Sequence, residues 1–428
     1  MKPTKKLCIV FFITISSVCF SQSISDSLVN DDYLKVYLDG VDFYQDYIKQ
    51  NITFINYVRD RYDAQVHLLI TQQQTGSGGT EFTLFYLGQL EFAGKNDTIK
   101  YVANSINTED EIRTGLIQSM QMGLLSYVAK LPKPTAVKIS FTAAASSTEN
   151  RQQDDKWNGW IYSLSGNGNI SIDNVYRFYN YGGGISAKKI TEKWKINFSG
   201  GAYKNESRFV FGEEVGDTVF SENNSAYADA IVVKSLGDHW SVGFQSGYFS
   251  STYSNYDHNI YFSPAVEYDI FPYGESESKL LSFFYKITPE YADYTDTTIY
   301  GKTTEFLFSH SLDVSLSLKK KWGSVSTGIG GSNYLNDFGK NKFNFFGSIN
   351  WRIYEGLSIN GFVGYDIIHD QVNIPKGEAS DEDILLQQKE LSKSYGMFTY
   401  FGISYSFGSI YNNVVNPRFE TGNFSISF

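Results

Sequence analysis

Cysteine is almost missing: the 428 residues contain two, Cys8 and Cys19, both among the first twenty. If that leader is removed, the mature chain has no disulfide framework, no thiolate nucleophile and no cysteine-ligated metal. Histidine is also scarce, with five in all, and none pairs with another histidine or a carboxylate in a metal pattern such as H-E-x-x-H. No stretch past the leader approaches ~18 apolar residues, so no transmembrane helix is expected. A surplus of positive charge is absent too. The formal net charge is -10, which argues against nucleic acid as a partner, because that affinity comes mainly from neutralising phosphates.

What is present starts with an address. Lys2, Lys5 and Lys6 precede an apolar run from Leu7 to Phe20, followed by Ser21 and Gln22. The run is too short to span a bilayer as a helix and reads as a secretory signal peptide, residues 1–21. Cys19 follows Val18, where lipidation signals prefer a small residue, so a lipid anchor is disfavoured. Aromatic residues make up 17% of the chain, with 32 Tyr and 33 Phe. Tyr and Trp favour the water–lipid boundary, where one end of the ring is wet and the other dry.

From about Trp157 to Phe407 apolar and small or polar residues alternate. Trp194, Ile196 and Phe198 interleave with Lys195, Asn197 and Ser199; Phe343, Phe345, Ile349, Trp351 and Ile353 interleave with Asn344, Ser348, Asn350 and Arg352. A period of two places one set on each face of a strand. The segments divide into about twelve strands, starting near Trp157, Val175, Trp194, Ser225, Trp240, Ile260, Leu280, Phe306, Ser324, Phe343, Leu357 and Met397. Short turns are expected at 191–193, 236–239, 273–276, 320–323 and 354–356. Longer polar connections are expected at 211–221, 251–259, 291–304, 333–342 and 369–394. This is the pattern of an all-β transmembrane antiparallel barrel spanning residues 156–408, with both termini in the periplasm. Its inward set is mostly Ser, Gly, Asn, Thr and Asp, compatible with water in the lumen.

Ahead of it, residues 34–141 read as a periplasmic α+β domain, joined by a mobile linker at 142–155. Leu34 to Leu38 alternates as a strand. Ile48, Ile52 and Ile55 predict a helix over 46–61. Strands are expected at 64–71, 81–92 and 98–102, with Gly76-Ser77-Gly78-Gly79 as a hairpin turn rather than a phosphate cradle. Thr108 and Glu111 form a capping box for a second helix that Pro132 ends. Residues 409–428 are expected as a periplasmic tail under the barrel mouth. The acidic loop at 377–391, with Ser380 and Asp381 to Asp383 at its start, suits a short amphipathic helix.

Little here carries chemistry. His310 beside Ser309 and Ser311 is the best hydrolase candidate, yet neighbours on a strand face opposite sides, so any serine partner would come from another strand. His67 and His239 read as structural. Glu213-Glu214 and 381–383 read as solvated loop charge. No catalytic, cofactor-binding or metal residues are therefore assigned, and no cofactor.

The segment from Ile48 to Val128 resembles the N-terminal domain of an uncharacterised family of Gram-negative outer-membrane barrel proteins. The likeness is carried by 53–61 (Thr53-Phe54-Ile55-Asn56-Tyr57 onward), 64–71 (Ala64-Gln65-Val66-His67 onward), Thr75 to Gly79 and Phe407 to Phe419. The order of soluble elements is similar, by fold alone, to the α/β module of TolB and of curli-secretion lipoproteins. The combined expectation is a non-enzymatic outer-membrane barrel whose periplasmic domain docks a partner or gates the lumen. A small-solute channel is the alternative, and a lipid hydrolase follows behind. Expected partners are outer-membrane lipids and lipopolysaccharide, the barrel-assembly machinery during biogenesis and a periplasmic protein.

Overall fold

The structure is a computed structural model. It describes residues 32–41, 44–76, 78–131, 156–210, 218–276, 278–377 and 390–411, with 413, 415 and 418. The expected signal peptide and linker, the acidic loop helix, both acidic runs and most of the tail lie outside the described residues.

The N-terminal unit is a five-stranded mixed sheet in the order β2-β1-β3-β4-β5, made of β1 (Leu34–Asp39), β2 (Ile55–Tyr57), β3 (Val66–Gln74), β4 (Thr80–Gly88) and β5 (Asn96–Ala103). Two helices, α1 (Gln45–Asn51) and α2 (Glu109–Val128), complete it. β1 lies parallel to both β2 and β3, with Leu34 opposite Ile55 and Val36 opposite Val66. The capping box forms as expected: Glu111 N–H donates to Thr108 Oγ1 at 3.3 Å, and Thr108 N–H donates to Glu111 Oε2 at 2.8 Å. Leu116, Met120, Leu124 and Tyr127 of α2 are fully buried against Leu34, Leu68, Leu84 and Tyr86. Tyr86 passes beneath Gly123, where a Cβ would collide with its ring.

The helix expected over 46–61 stops at Asn51. Beyond it, Ile55 to Tyr57 pairs with β1 as a strand, so the unit has one more strand than its sequence suggests. Ile55 completes a helical spacing from Ile48 and Ile52. Its β-branched and aromatic neighbours fit a sheet edge better than a helix turn.

The larger unit is one antiparallel sheet of twelve strands, each hydrogen-bonded to the next in chain order. They are β6 (Trp160–Ile172), β7 (Tyr176–Ile190), β8 (Trp194–Val210), β9 (Thr218–Ser235), β10 (Trp240–Ser251) and β11 (Tyr256–Asp269), then β12 (Lys279–Tyr294), β13 (Thr304–Lys320), β14 (Gly323–Tyr334), β15 (Asp337–Tyr354), β16 (Leu357–Ile368) and β17 (Tyr395–Tyr405). The expected α+β unit followed by a twelve-stranded antiparallel barrel wall is the architecture found. Among the described residues no ladder joins β6 to β17.

Directly opposed residues share a face. One face carries Ile196, Phe198, Val232, Phe244, Tyr285, Leu312, Phe345 and Tyr365 in register. The other is rich in serine and asparagine, with Ser199, Ser263, Ser315, Ser326, Ser348 and Asn360 among its members. On this polar face four rings lie opposite glycines: Tyr203 on Gly182, Tyr227 on Gly201, Tyr261 on Gly247 and Phe346 on Gly328. At each a Cβ would crowd the ring. The missing side chain lets a bulky residue lie flat along the wall instead of projecting across the lumen.

Two connections expected to be long loops are mostly strand: β10 and β11 are separated only by 252–255, and β14 and β15 only by Leu335 and Asn336. Their polar residues keep pairing beyond the apolar band, since a ladder needs backbone partners and not apolar side chains. At this end the segment 369–376 folds onto its neighbours. Asn255 donates to Asn373 O at 2.8 Å, Asn373 donates to Glu390 Oε2 at 2.8 Å, and Val372 is buried with Ala292, Tyr294 and Leu307.

Candidate functional site

The short-turn end of the wall is where the N-terminal unit meets it. Asp39 ends β1, and Gly40 follows at φ 84, where a Cβ would strike the carbonyl of Ile70. That turn presents the Asp39 carboxylate to Arg352, which faces the lumen near the end of β15. Arg352 Nη1 donates to Asp39 Oδ2 at 2.7 Å and Nη2 to Oδ1 at 2.9 Å, a two-pronged contact. His67 Nε2 lies 2.9 Å from the same Oδ2. The Arg352 guanidinium also sits 4.8 Å from the centre of the Tyr37 ring, which meets His67 edge-on at 5.2 Å. Burial alone would raise the Asp39 pKa. Its bonds to His67 and Arg352 outweigh that and hold it at about 2.

Beside this pair, Asp60 accepts from the backbone N–H of Gly356 in the β15–β16 turn. Arg61 donates to the carbonyls of Lys321 and, at 3.0 Å, Arg352. The chain after β17 returns to the same place. Arg59 N–H donates to Ile410 O at 2.8 Å, Val58 bridges Tyr411, and Tyr57 N–H donates to Asn413 Oδ1 at 2.6 Å. Ile410, Tyr411 and Asn413 thus lie along the chain from β2 to Arg59.

On the far side of the unit the β3–β4 turn reaches β7, and a Cβ at Gly76 would collide with Ile190. Asp39 lies opposite Leu69, so β3 carries the chain only about 23 Å from the latch to Gly76. The wall between β7 and β15 is eight strand spacings, about 38 Å along its arc. A span that short bridging an arc that long shows the wall curls around the docked unit. The unit therefore lies across the mouth. Among the described residues, cavities remain between it and the wall. One of about 600 Å³ is lined by Gln73, Lys195, Gln245, Glu267 and Asp269, and one of about 340 Å³ by Thr71, Lys319, Asn350 and Arg352.

The histidines do not come together. His67 belongs to the latch and His239 holds Asp269 O at 2.7 Å. His258 contacts Tyr248 at 3.0 Å and His369 contacts Asn341 at 3.3 Å. His310 is on the apolar outer face, bonded to Asn333 at 2.8 Å and 3.2 Å from Tyr285, whereas Ser309 and Ser311 face the lumen. Among the described residues no set of three His, Cys, Asp or Glu side chains converges as a metal site. The residues sequence reasoning missed are Asp39, Asp60 and Arg61. Their one signal is faint: Asp39-Gly40 closes an apolar strand with charge, and Asp60-Arg61 follows the end of β2 at a turn.

No protein family matches the chain, and no curated protein matches it. Among solved structures it is similar to the NanC porin, with 10% identity, TM-score 0.26, and coverage of 58% of this chain and 99% of that one. It is also similar to the translocator domain of the autotransporter NalP from Neisseria meningitidis, with 11% identity, TM-score 0.25, and coverage of 58% and 87%. The class defined here, an α+β unit docked on a twelve-stranded antiparallel barrel wall, rests on the strand ladder itself.

Proposed function

We propose that the chain is an integral, non-enzymatic outer-membrane barrel whose N-terminal domain, on the periplasmic side, gates a water-filled lumen. The observation that carries this reading is the Asp39–Arg352 latch, in which a lumen-facing cation is held by the unit lying across the mouth. Opening requires this pair to separate. A periplasmic protein that binds the domain is the natural trigger. Outer-membrane lipids and lipopolysaccharide bathe the apolar face, and the barrel-assembly machinery inserts it.

A second reading, a constitutively open small-solute channel, draws support from the serine-rich lumen and the cavities beside the domain. Planar-bilayer recordings of the full chain separate the two. Under gating, the wild type is mostly closed, and Arg352→Ala or Asp39→Ala raises the open fraction by about tenfold, the scale of a 1.4 kcal/mol change. Steady wild-type conductance that neither substitution alters would defeat the gate and favour the channel.

A further inference from the structure

Among the described residues the edge strands β6 and β17 each have one neighbour, so roughly half their backbone N–H and C=O groups lack a ladder partner there. In hydrocarbon each such group costs several kcal/mol. Both strands nevertheless carry lipid-suited outer faces, with Tyr162, Leu164, Ile170 and Ile172 on β6, and Met397, Phe401, Ile403 and Tyr405 on β17. Leu164 is 85% exposed and Met397 67%.

We propose that in the bilayer these edges pair with each other in one antiparallel register, with Tyr405 opposite Tyr162, Ile403 opposite Leu164, Phe401 opposite Gly166 and Tyr395 opposite Ile172. Three constraints select it. The outer set is even-numbered on β6 and odd-numbered on β17, so outward residues meet only when even faces odd, which removes half the registers. β17 has 11 residues and β6 has 13. Full overlap then leaves this register and one slipped by two residues, with Tyr405 opposite Trp160. On the outer face rings already lie opposite glycines at Tyr181–Gly168, Phe343–Gly331 and Phe401–Gly361, and this habit decides between them: the proposed register sets Phe401 against Gly166, and the slipped one sets it against Leu164.

The other ladders agree. A line of opposed partners runs from Ile190 through Lys195, Val233, Gly243, Ala265, Lys286, Ser311, Ser332 and Lys342 to Ile368. The adjoining pairs, Trp160–Lys189 and Ile367–Tyr395, extend this line by one strand at each side, to Gly159 and Ser394. In the proposed register Ser394 meets Asp173. The wall therefore closes with a stagger of about 14 residues, counted from Gly159 to Asp173. For twelve strands that stagger tilts them by about 40°, inside the range of closed barrels, and gives a wall-to-wall backbone width of about 24 Å. Such a bore admits hydrated small solutes and excludes folded proteins. That size limit rests on the conduit reading, while the register does not.

Engineered cysteine pairs test it in the full chain inserted in membranes, read as an intramolecular disulfide after mild oxidation. Asn167→Cys with Tyr400→Cys, opposed across the lumen side of the seam, should cross-link at least about tenfold faster than Asn167→Cys with either Phe398→Cys or Gly402→Cys. Ser163→Cys with Ser186→Cys, opposed on an existing ladder, verifies that the barrel is folded. Preference for Phe398→Cys or Gly402→Cys overturns the register. Disulfides between chains, or none in protein whose control pair forms, overturn closure itself.

Discussion

Asp39 is the side chain on which the docking turns, and its acidity makes the docking testable. The pKa is about 2 in place of the ordinary 3.8. A carboxyl whose folded value is depressed contributes stability that is complete above its unfolded value and disappears as pH falls through the folded one. The latch should therefore be intact from neutral pH to about pH 4 and weaken between 4 and 2. The shift corresponds to about 2 kcal/mol. Spin labels at Gln72→Cys and Ser324→Cys, on opposite walls of the smaller cavity, should keep a narrow distance distribution to pH 4 and broaden below 3. In an Asp39→Asn background the distribution should already be broad at pH 7. No pH response in the parent would remove the ion pair from the account. Within the domain, Gly123→Ala forces a methyl into the Tyr86 ring, and overpacking of this kind costs about 1–3 kcal/mol. Urea unfolding followed by circular dichroism should show the midpoint falling without loss of barrel signal.

At the scale of elements, legibility followed the length of the pattern. Strands such as β8 and β15 alternate apolar and polar residues over 194–199 and most of 343–353, and a sheet face is what such a run satisfies. Helix α2 was equally plain because its cap is local chemistry: Thr108→Ala should cost about 1 kcal/mol of domain stability in the same urea assay. The boundary between the short elements α1 and β2 was not legible. α1 has 7 residues and β2 has 3, too few for either period to separate helix from strand. The outer hairpins were misread for another reason. Polarity marks where the apolar band ends, whereas pairing ends only where the backbone turns, as at Leu335 and Asn336. The candidate site was least legible of all. Arg352 is visible as a charge on an inward face, but its partner Asp39 is 313 positions away, and no periodicity connects them.

The whole molecule is organised around one end of the wall, where the unit before the barrel, the turns of the barrel and the chain after it meet. Asp39, Asp60 and Arg61 hold the β13–β16 side, Gly76 reaches β7, and Tyr411 and Asn413 contact Val58 and the β2 residue Tyr57. Asn413→Ala removes the bond to Tyr57 N–H and the 2.9 Å contact to Asn56. Backbone amide exchange at Tyr57 should then quicken about tenfold, as expected for loss of roughly 1.4 kcal/mol of local protection. Unchanged exchange would mean that the tail contributes nothing to that edge.

That clasp also imposes a timetable. Tyr57 and Asn413 are 356 positions apart, and every strand of the wall lies between them. Joining such distant points early would cost loop entropy with nothing yet gained in return. The β2 edge is therefore expected to be covered only after β17 has paired, which makes the clasp a late event in folding.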